Sequence, residues 1–214
     1  TVTGVQTCAL PIFLRHGQAK NNVERVLAGR TPGFPLTDTG IKQAEATAEL
    51  LAHMNISAIY SSPIQRAQHT AEIVGKHNSV DVTIDDRLIE LDMGKFTGVP
   101  YDEIFTSNGN VFMKFYNGDL EIAHNGVETF ADVKKRVLSI VDNVLEKHPD
   151  GNVVLVTHMD PIKAMLSTIV DLSATNLFEL IIANASLNIF REKDRKFSLS
   201  GINVMHPSRF DHNW

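Results

Sequence analysis

The feature that most restricts the fold is an alternation. From Phe13 onward, short apolar runs rich in β-branched residues are separated by stretches of helical periodicity, which is the pattern of an α/β protein. Phe13-Leu14 reads as the end of a buried strand, Ala58–Ser61 as a short strand, and Val153–Thr157 as a central one. Thr37 is placed to cap a helix over about 38–53, with Ile41, Ala44, Ala48 and Leu51 on one face. Ser62-Pro63 and Asp160-Pro161 each pair a capping residue with a proline suited to a first helical position, so helices are expected to open there, the second running to about 170. The longest helix is expected at about 128–147, with Val133, Val137, Ile140, Val141 and Val144 as its apolar stripe. Ala185–Phe190 and Phe197–Val204 read as closing strands around the charged turn Arg191–Arg195.

Two stretches stand outside this rhythm. Residues 95–127 carry Gly94, Gly98, Gly109, Gly118 and Gly126 in and around them, with Phe105, Phe112, Phe115 and Tyr116 between, and read as an inserted cap with its own small aromatic core. Residues 1–12 are set aside, because Val2–Ile12 resembles, codon for codon, the translation of a sequencing-library adapter. The domain is thus expected over 13–204, with 205–214 as a tail and with Cys8 foreign to the native protein. Composition then excludes several function classes. The 214 residues are 43% hydrophobic and 21% charged, with a net charge of -5, which argues against disorder and against general nucleic-acid binding. No apolar run reaches the roughly 20 residues of a membrane helix. A single cysteine permits neither an internal disulfide nor a multi-thiolate zinc site, so a reducing, cytoplasmic setting is expected.

The chemistry gathers where strands end. Arg15-His16-Gly17 follows the first strand, Arg66 lies one turn into the helix after Ser62-Pro63, and His158 closes the central strand just before another helix. Carboxyl ends of parallel strands are where α/β sheets bind ligands, and helix N-termini offer free N–H groups to anions. Two arginines and two histidines there make a phosphate site, since guanidinium forks bind phosphate oxygens in pairs and an acidic chain must concentrate its positive charge locally.

Over residues 13–204 the chain resembles the histidine phosphatase superfamily, the phosphoglycerate-mutase-like fold. The matching blocks are Arg15-His16-Gly17 with Asn22, Gly29, and Pro35-Leu36-Thr37-x-x-Gly40-x-x-Gln43-Ala44. They continue with Ser61-Ser62-Pro63-x-x-Arg66-Ala67-x-x-Thr70-Ala71, Leu88-x-Glu90-x-x-x-Gly94, Gly126-x-Glu128 and Val156-Thr157-His158. The resemblance implies a three-layer α/β sandwich with a mostly parallel central sheet, helices on both faces and a small inserted cap. It also implies His16 as nucleophile, Glu90 as proton donor, and Arg15, Arg66 and a protonated His158 on the transferred phosphate, with Asn22 and the Met159 amide as further phosphate ligands. A neutral imidazole can take a phosphoryl group and pass it to water, and positive groups on the equatorial oxygens stabilise the transfer without a metal.

The expected activity is therefore that of a metal-independent phosphomonoesterase, needing no cofactor, whose partner is a small-molecule phosphate ester rather than a nucleic acid or a membrane. A metal site made of His16, His158 and Asp160 is the weaker expectation, because no His-Glu-x-x-His or comparable pair occurs and Asp160 is accounted for as the cap before Pro161. A non-catalytic phosphate-binding protein would have no use for Glu90. Phosphoglycerate mutase is the alternative within the family. The mutase branch resembles His-Gly-Asn at the second histidine and Thr-Gly after the first block, where this chain has His158-Met159-Asp160 and Ala28-Gly29, and Lys114 is the one basic side chain between Tyr101 and His124. His53, His77 and His148 are expected near helix C-termini, and Glu128 is read equally as a helix-start charge or a substrate contact.

Overall fold

The computed structural model describes residues 10–107, 110–193 and 196–209; Cys8, the Phe105 side chain, Gly109, Asp194-Arg195 and the end of the tail lie outside these. Six strands form one sheet: β1 (Leu10–Arg15), β2 (Ile56–Ser61), β3 (Val82–Ile84), β4 (Asn152–Thr157), β5 (Leu187–Lys193) and β6 (Lys196–Val204). They lie in the order β3-β2-β4-β1-β5-β6, with the first four mutually parallel and β5 and β6 added antiparallel. The helices are α1 (Lys20–Glu24), α2 (Asp38–Leu51), α3 (Gln65–Asn78), α4 (Tyr101–Ser107), α5 (Val111–Tyr116), α6 (Phe130–Lys147), α7 (Met159–Leu166) and α8 (Ala174–Glu179).

Side chains alternate across the sheet, as the period of two in a strand requires. Ile12, Leu14, Val154 and Val156 join Ala48 and Leu51 of α2 and Ala67, Ala71 and Val74 of α3 in one buried cluster. Phe13, Val153 and Leu155 join the α6 stripe and Ile162 and Met165 of α7 in another. The five valine and isoleucine residues expected on the long helix are all fully buried there. Phe112, Phe115 and Tyr116 belong to this same cluster, Phe115 and Tyr116 packing edge-on against Phe130 and Phe112 lying beside Phe178, so these aromatics extend the main core instead of building one of their own. No helix among the described residues is long and apolar enough to cross a membrane.

Three local expectations are revised. β1 begins at Leu10, three residues upstream of Phe13, and Ile12 is fully buried. Pro11 is tolerated because pairing with β5 starts only at Ile12, so the N–H that proline lacks has no ladder partner there. α3 starts at Gln65 with Ile64 as its N-cap, and Ser62 lies before it. α7 starts at Met159 with His158 as N-cap, which places Asp160 inside the first turn, and it ends at Leu166, with turns following.

Candidate active site

Register brings the two histidines together. β1 and β4 run parallel from Leu10 beside Asn152 to Arg15 beside Thr157, so the next residue on each strand, His16 and His158, emerges at the same end of the sheet. Their ring centroids are 5.1 Å apart, and both are buried.

His16 Nδ1 lies 2.7 Å from the carbonyl oxygen of Gly17. A carbonyl only accepts, so Nδ1 carries the proton and Nε2 presents a lone pair. That lone pair receives the Arg66 Nε–H at 3.2 Å, while Arg66 Nη2 is anchored on the carbonyl of Gly29 at 2.8 Å. Arg15 is anchored through Nη1 on the carbonyl of Ile182. Arg15 Nε, Arg66 Nη1 and His158 Nδ1 are buried with no hydrogen-bond partner among the described residues. Buried polar groups are rarely left unsatisfied, and three such atoms around one pair of rings mark a place built for an anion.

Ser62 was expected to cap α3. Its hydroxyl instead accepts from the Ile64 amide at 3.3 Å and lies 2.8 Å from His158 Nε2. Ser62 donating to Nε2 corresponds to the neutral tautomer of His158 with an N–H at Nδ1, the atom left unpartnered. Burial, followed by the charges of Arg66 and Arg15, holds both histidines well below their usual range. The expected protonated His158 is one with an anion beside Nδ1, and such an anion would oppose this lowering.

Glu90 sits on a loop tied down from several sides. Thr157 Oγ1 donates to the carbonyl of Leu88 at 2.6 Å, Arg136 Nη1 to those of Arg87 and Ile89, and Arg30 Nε to that of Glu90 at 3.0 Å. Glu128, directly before the α6 N-cap Thr129 as a helix-start charge would be, also holds the two arginines in place, bonding Arg136 at 2.8 and 3.0 Å and Arg30 at 3.0 Å. The Glu90 carboxyl itself accepts from the Leu91 amide at 2.9 Å. Burial, and next the charge of Asp160, raise it from 4.5 to about 7, against the pull of Arg66 and Arg15.

The remaining residues expected at the site are placed as follows. Asn22 Oδ1 accepts from the Ala19 amide at 2.9 Å and from Asn184 Nδ2 at 3.3 Å, and Asn184 also holds the carbonyl of His16. Asn22 therefore braces the loop after His16, and its own amide nitrogen is what it has left to offer a ligand. Met159 opens α7, where first-turn amides are free of intrahelical partners. Asp160 does not cap α7: its carboxylate accepts from Tyr116 Oη at 2.5 Å. Among the described residues no group of three or more His, Cys, Asp or Glu is arranged to hold a metal ion. Ser62, Tyr116, Lys163, Arg30 and Arg136 were not anticipated. Lys163, five residues after His158 and buried, carried the one available signal, since a lysine on the inner face of an apolar helix needs a partner.

Known proteins resemble the chain over most of its length. A 2,3-bisphosphoglycerate-dependent phosphoglycerate mutase of Thermoplasma acidophilum is 34% identical over 204 residues, covering 94% of this chain and 96% of the relative. Phosphoserine phosphatase 1 of Hydrogenobacter thermophilus is 26% identical over 196 residues, covering 90% and 91%. The structure of a mycobacterial glucosyl-3-phosphoglycerate phosphatase in complex with VO3 superposes with a TM-score of 0.80 at 26% identity, covering 92% of this chain and 99% of that one. The model of the histidine phosphatase superfamily (branch 1) matches residues 12–205, and the chain belongs to that superfamily.

Proposed function

We propose that the protein is a phosphomonoesterase that moves a phosphoryl group from a small phosphate ester to His16 and then to water, without a metal ion. The observation that carries this reading is the fixed tautomer of His16, whose Nε2 lone pair lies beside two arginines and a histidine with unpartnered donors. Nε2 attacks phosphorus, and the bond to the ester oxygen breaks. Charge on the equatorial oxygens is met by Arg66 Nη1, Arg15 and the His158 Nδ1–H. Glu90, protonated near neutrality, gives its proton to the leaving oxygen, then takes one from the water that attacks phosphohistidine. Segment 95–127 is the small cap over this site, the rest being a three-layer sandwich.

A mutase reading is supported by the names of several relatives, the Thermoplasma protein among them. Against it, Lys114, the basic side chain expected to be available in the cap, lies 3.9 Å from Glu121 and lines a cavity of about 280 Å3 formed with Lys95, Ile122 and His124, none of them a site residue. The test is a panel of phosphate esters assayed with and without a chelator and 2,3-bisphosphoglycerate. Release of inorganic phosphate, unaffected by the chelator, is expected; conversion of 3-phosphoglycerate to 2-phosphoglycerate faster than phosphate release would refute the phosphatase.

A further inference from the structure

The loop between α8 and β5, residues 180–186, is neither helix nor strand, yet it supplies backbone on which Arg15 rests. Its Ser186 end is tied to β1 and the residue after it directly: the Arg15 amide donates to the carbonyl of Ser186 at 3.2 Å, and the Ala185 amide to that of His16 at 3.1 Å. Its other end carries Ile182, whose carbonyl accepts from Arg15 Nη1. That end is held from β6, the strand at the edge of the sheet. Asn203 Oδ1 accepts from the Ala183 amide at 2.8 Å, and Asn203 Nδ2 donates to the carbonyl of Ile181 at 2.6 Å. One side chain thus grips the residue on each side of Ile182. A backbone amide only donates and a carbonyl only accepts, which fixes the orientation of the Asn203 amide. Ser186 Oγ adds a bond of 3.1 Å to the same Oδ1.

The strand is irregular where it makes this grip. Val204 pairs with Leu187 and Gly201 with Ile189, so three steps along β6 match two along β5 and one residue is extra. Asn203 lies in this bulge at φ +51°. Left-handed backbone is unfavourable for a residue with a Cβ, and Asn is among the few that adopt it readily. The Asn203 amide donates to Asn188 Oδ1 at 3.1 Å, and the buried Asn188 in turn donates from Nδ2 to the carbonyl of Phe13 at 3.4 Å. Ladder pairing calls for neither the bulge nor the left-handed residue, whereas bulges beside functional sites serve to re-aim a side chain.

We propose that Asn203 is a positioning residue for phosphate binding: through the loop it grips, it sets the guanidinium of Arg15 in the anion site. The inference rests on the reading of Arg15 as a phosphate ligand. Arg15 Nη1 is spent on Ile182, and Nε is buried without a partner among the described residues. A guanidinium is planar, so the place of Nη1 decides where its other donors point. A loop free to shift at Ile182 would let that plane turn away from Arg66 Nη1 and His158 Nδ1, the other unpartnered atoms of the site. Asn203 makes no bond to the anion; it acts through Arg15.

The test uses the full chain and two variants. Asn203→Gly keeps the left-handed backbone and removes both side-chain bonds, and Asn203→Asp keeps an acceptor for the Ala183 amide but loses the donor to Ile181. NMR titration with inorganic phosphate reads affinity, and relaxation of the Arg15 Nε–H signal, assigned by its loss in Arg15→Gln, reads the order of the guanidinium. Both variants are expected to bind phosphate about tenfold more weakly, the scale of one charge-assisted hydrogen bond, and to show a disordered Arg15 Nε–H. In an Arg15→Gln background, Asn203→Gly is expected to add less than about twofold, because the residue through which it acts is already gone. A residue that only supported the hairpin would cost as much in either background. Native phosphate affinity with an ordered Arg15 in Asn203→Gly would overturn the proposal, as would an undiminished loss in the Arg15→Gln background. If Asn203→Gly does not fold, Asn203→Asp decides by the same measurements. A native protein that binds no phosphate would sink the reading of Arg15 as a ligand, and the Arg15 signal would still decide whether Asn203 orders the guanidinium.

Discussion

Gly40→Ala tests how the first turn of α2 positions His16, the proposed nucleophile. Thr37 accepts from the Gly40 amide at 3.0 Å and donates its own amide to the carbonyl of Gln18 at 2.9 Å, so the helix start is stitched to the chain two residues after His16. A Cβ on Gly40 would lie 2.0 Å from the oxygen of Gln18, 2.8 Å from its carbonyl carbon and 2.9 Å from its nitrogen. Ordinary van der Waals contact begins near 3.4 Å, so backbone must move by more than an ångström, and no side-chain rotation can relieve it. Gly17 closes the contact from the other side, where its own Cβ would meet the Gly40 carbonyl at 2.4 Å. Overpacking of this kind costs about 1–3 kcal/mol, which for a chain of this size is roughly 2–12 °C in Tm. Displacing a catalytic group by an ångström costs about 10²-fold in rate. Thermal melting and aryl phosphate turnover of Gly40→Ala, with the exposed Lys42→Ala as control, measure both. A variant with native Tm and native kcat would refute the claim that this contact holds His16.

Two further outcomes are expected. His16→Ala should lose the acid-labile, base-stable phosphoenzyme seen on single-turnover quench and more than about 10³-fold in turnover, and retention of either would end the covalent mechanism. Glu90, raised from 4.5 to about 7 in the folded protein, makes the native state bind more protons than the unfolded chain between those values. Stability should therefore fall as pH rises through that window, by on the order of 3 kcal/mol, then level off, and Glu90→Gln should remove this slope in urea unfolding.

What the sequence disclosed follows the distinction between local and non-local information. Thr37 and the α6 valines were legible because capping and a 3.6-residue stripe are local signals. Two proline signals misled for a shared reason: a helix start is set by what the preceding strand end must do. Ser62 is spent on His158, and Asp160 is turned inward to Tyr116, so the caps pass to Ile64 and His158. The motif glycines were visible, yet their purpose was not, since it lies in pairs distant along the chain. Gly17 meets Gly40, and Gly94, at φ +49°, would place a Cβ 2.3 Å from the carbonyl of Asn125 and 2.5 Å from Gly126. The arginines that hold the Glu90 loop were invisible for the same reason, because Arg30 and Arg136 reach it only through the fold.

The arginines also divide by what they bond, and that division explains the state of the histidines. Arg25, Arg30, Arg87 and Arg136 each bond a carboxylate, of Asp102, of Asp92 and Glu128, of Asp85 and of Glu128 respectively, so their charge is largely answered within the protein. Arg15 and Arg66 are anchored on backbone carbonyls, which fix the guanidinium plane without neutralising it. A chain of net charge -5 thereby keeps at one strand end two guanidinium groups that no carboxylate bonds among the described residues. Burial first, and then those charges, disfavour a proton on the neighbouring imidazoles, so His16 keeps the Nε2 lone pair that the proposed nucleophile needs. A bound phosphate dianion would screen them and favour a proton on His158, supplying positive charge only once there is an anion to receive it. On the proposed mechanism the arginines thus contribute both to anion binding and, beside burial, to keeping His16 unprotonated, so replacing either by a neutral residue should weaken the site twice over.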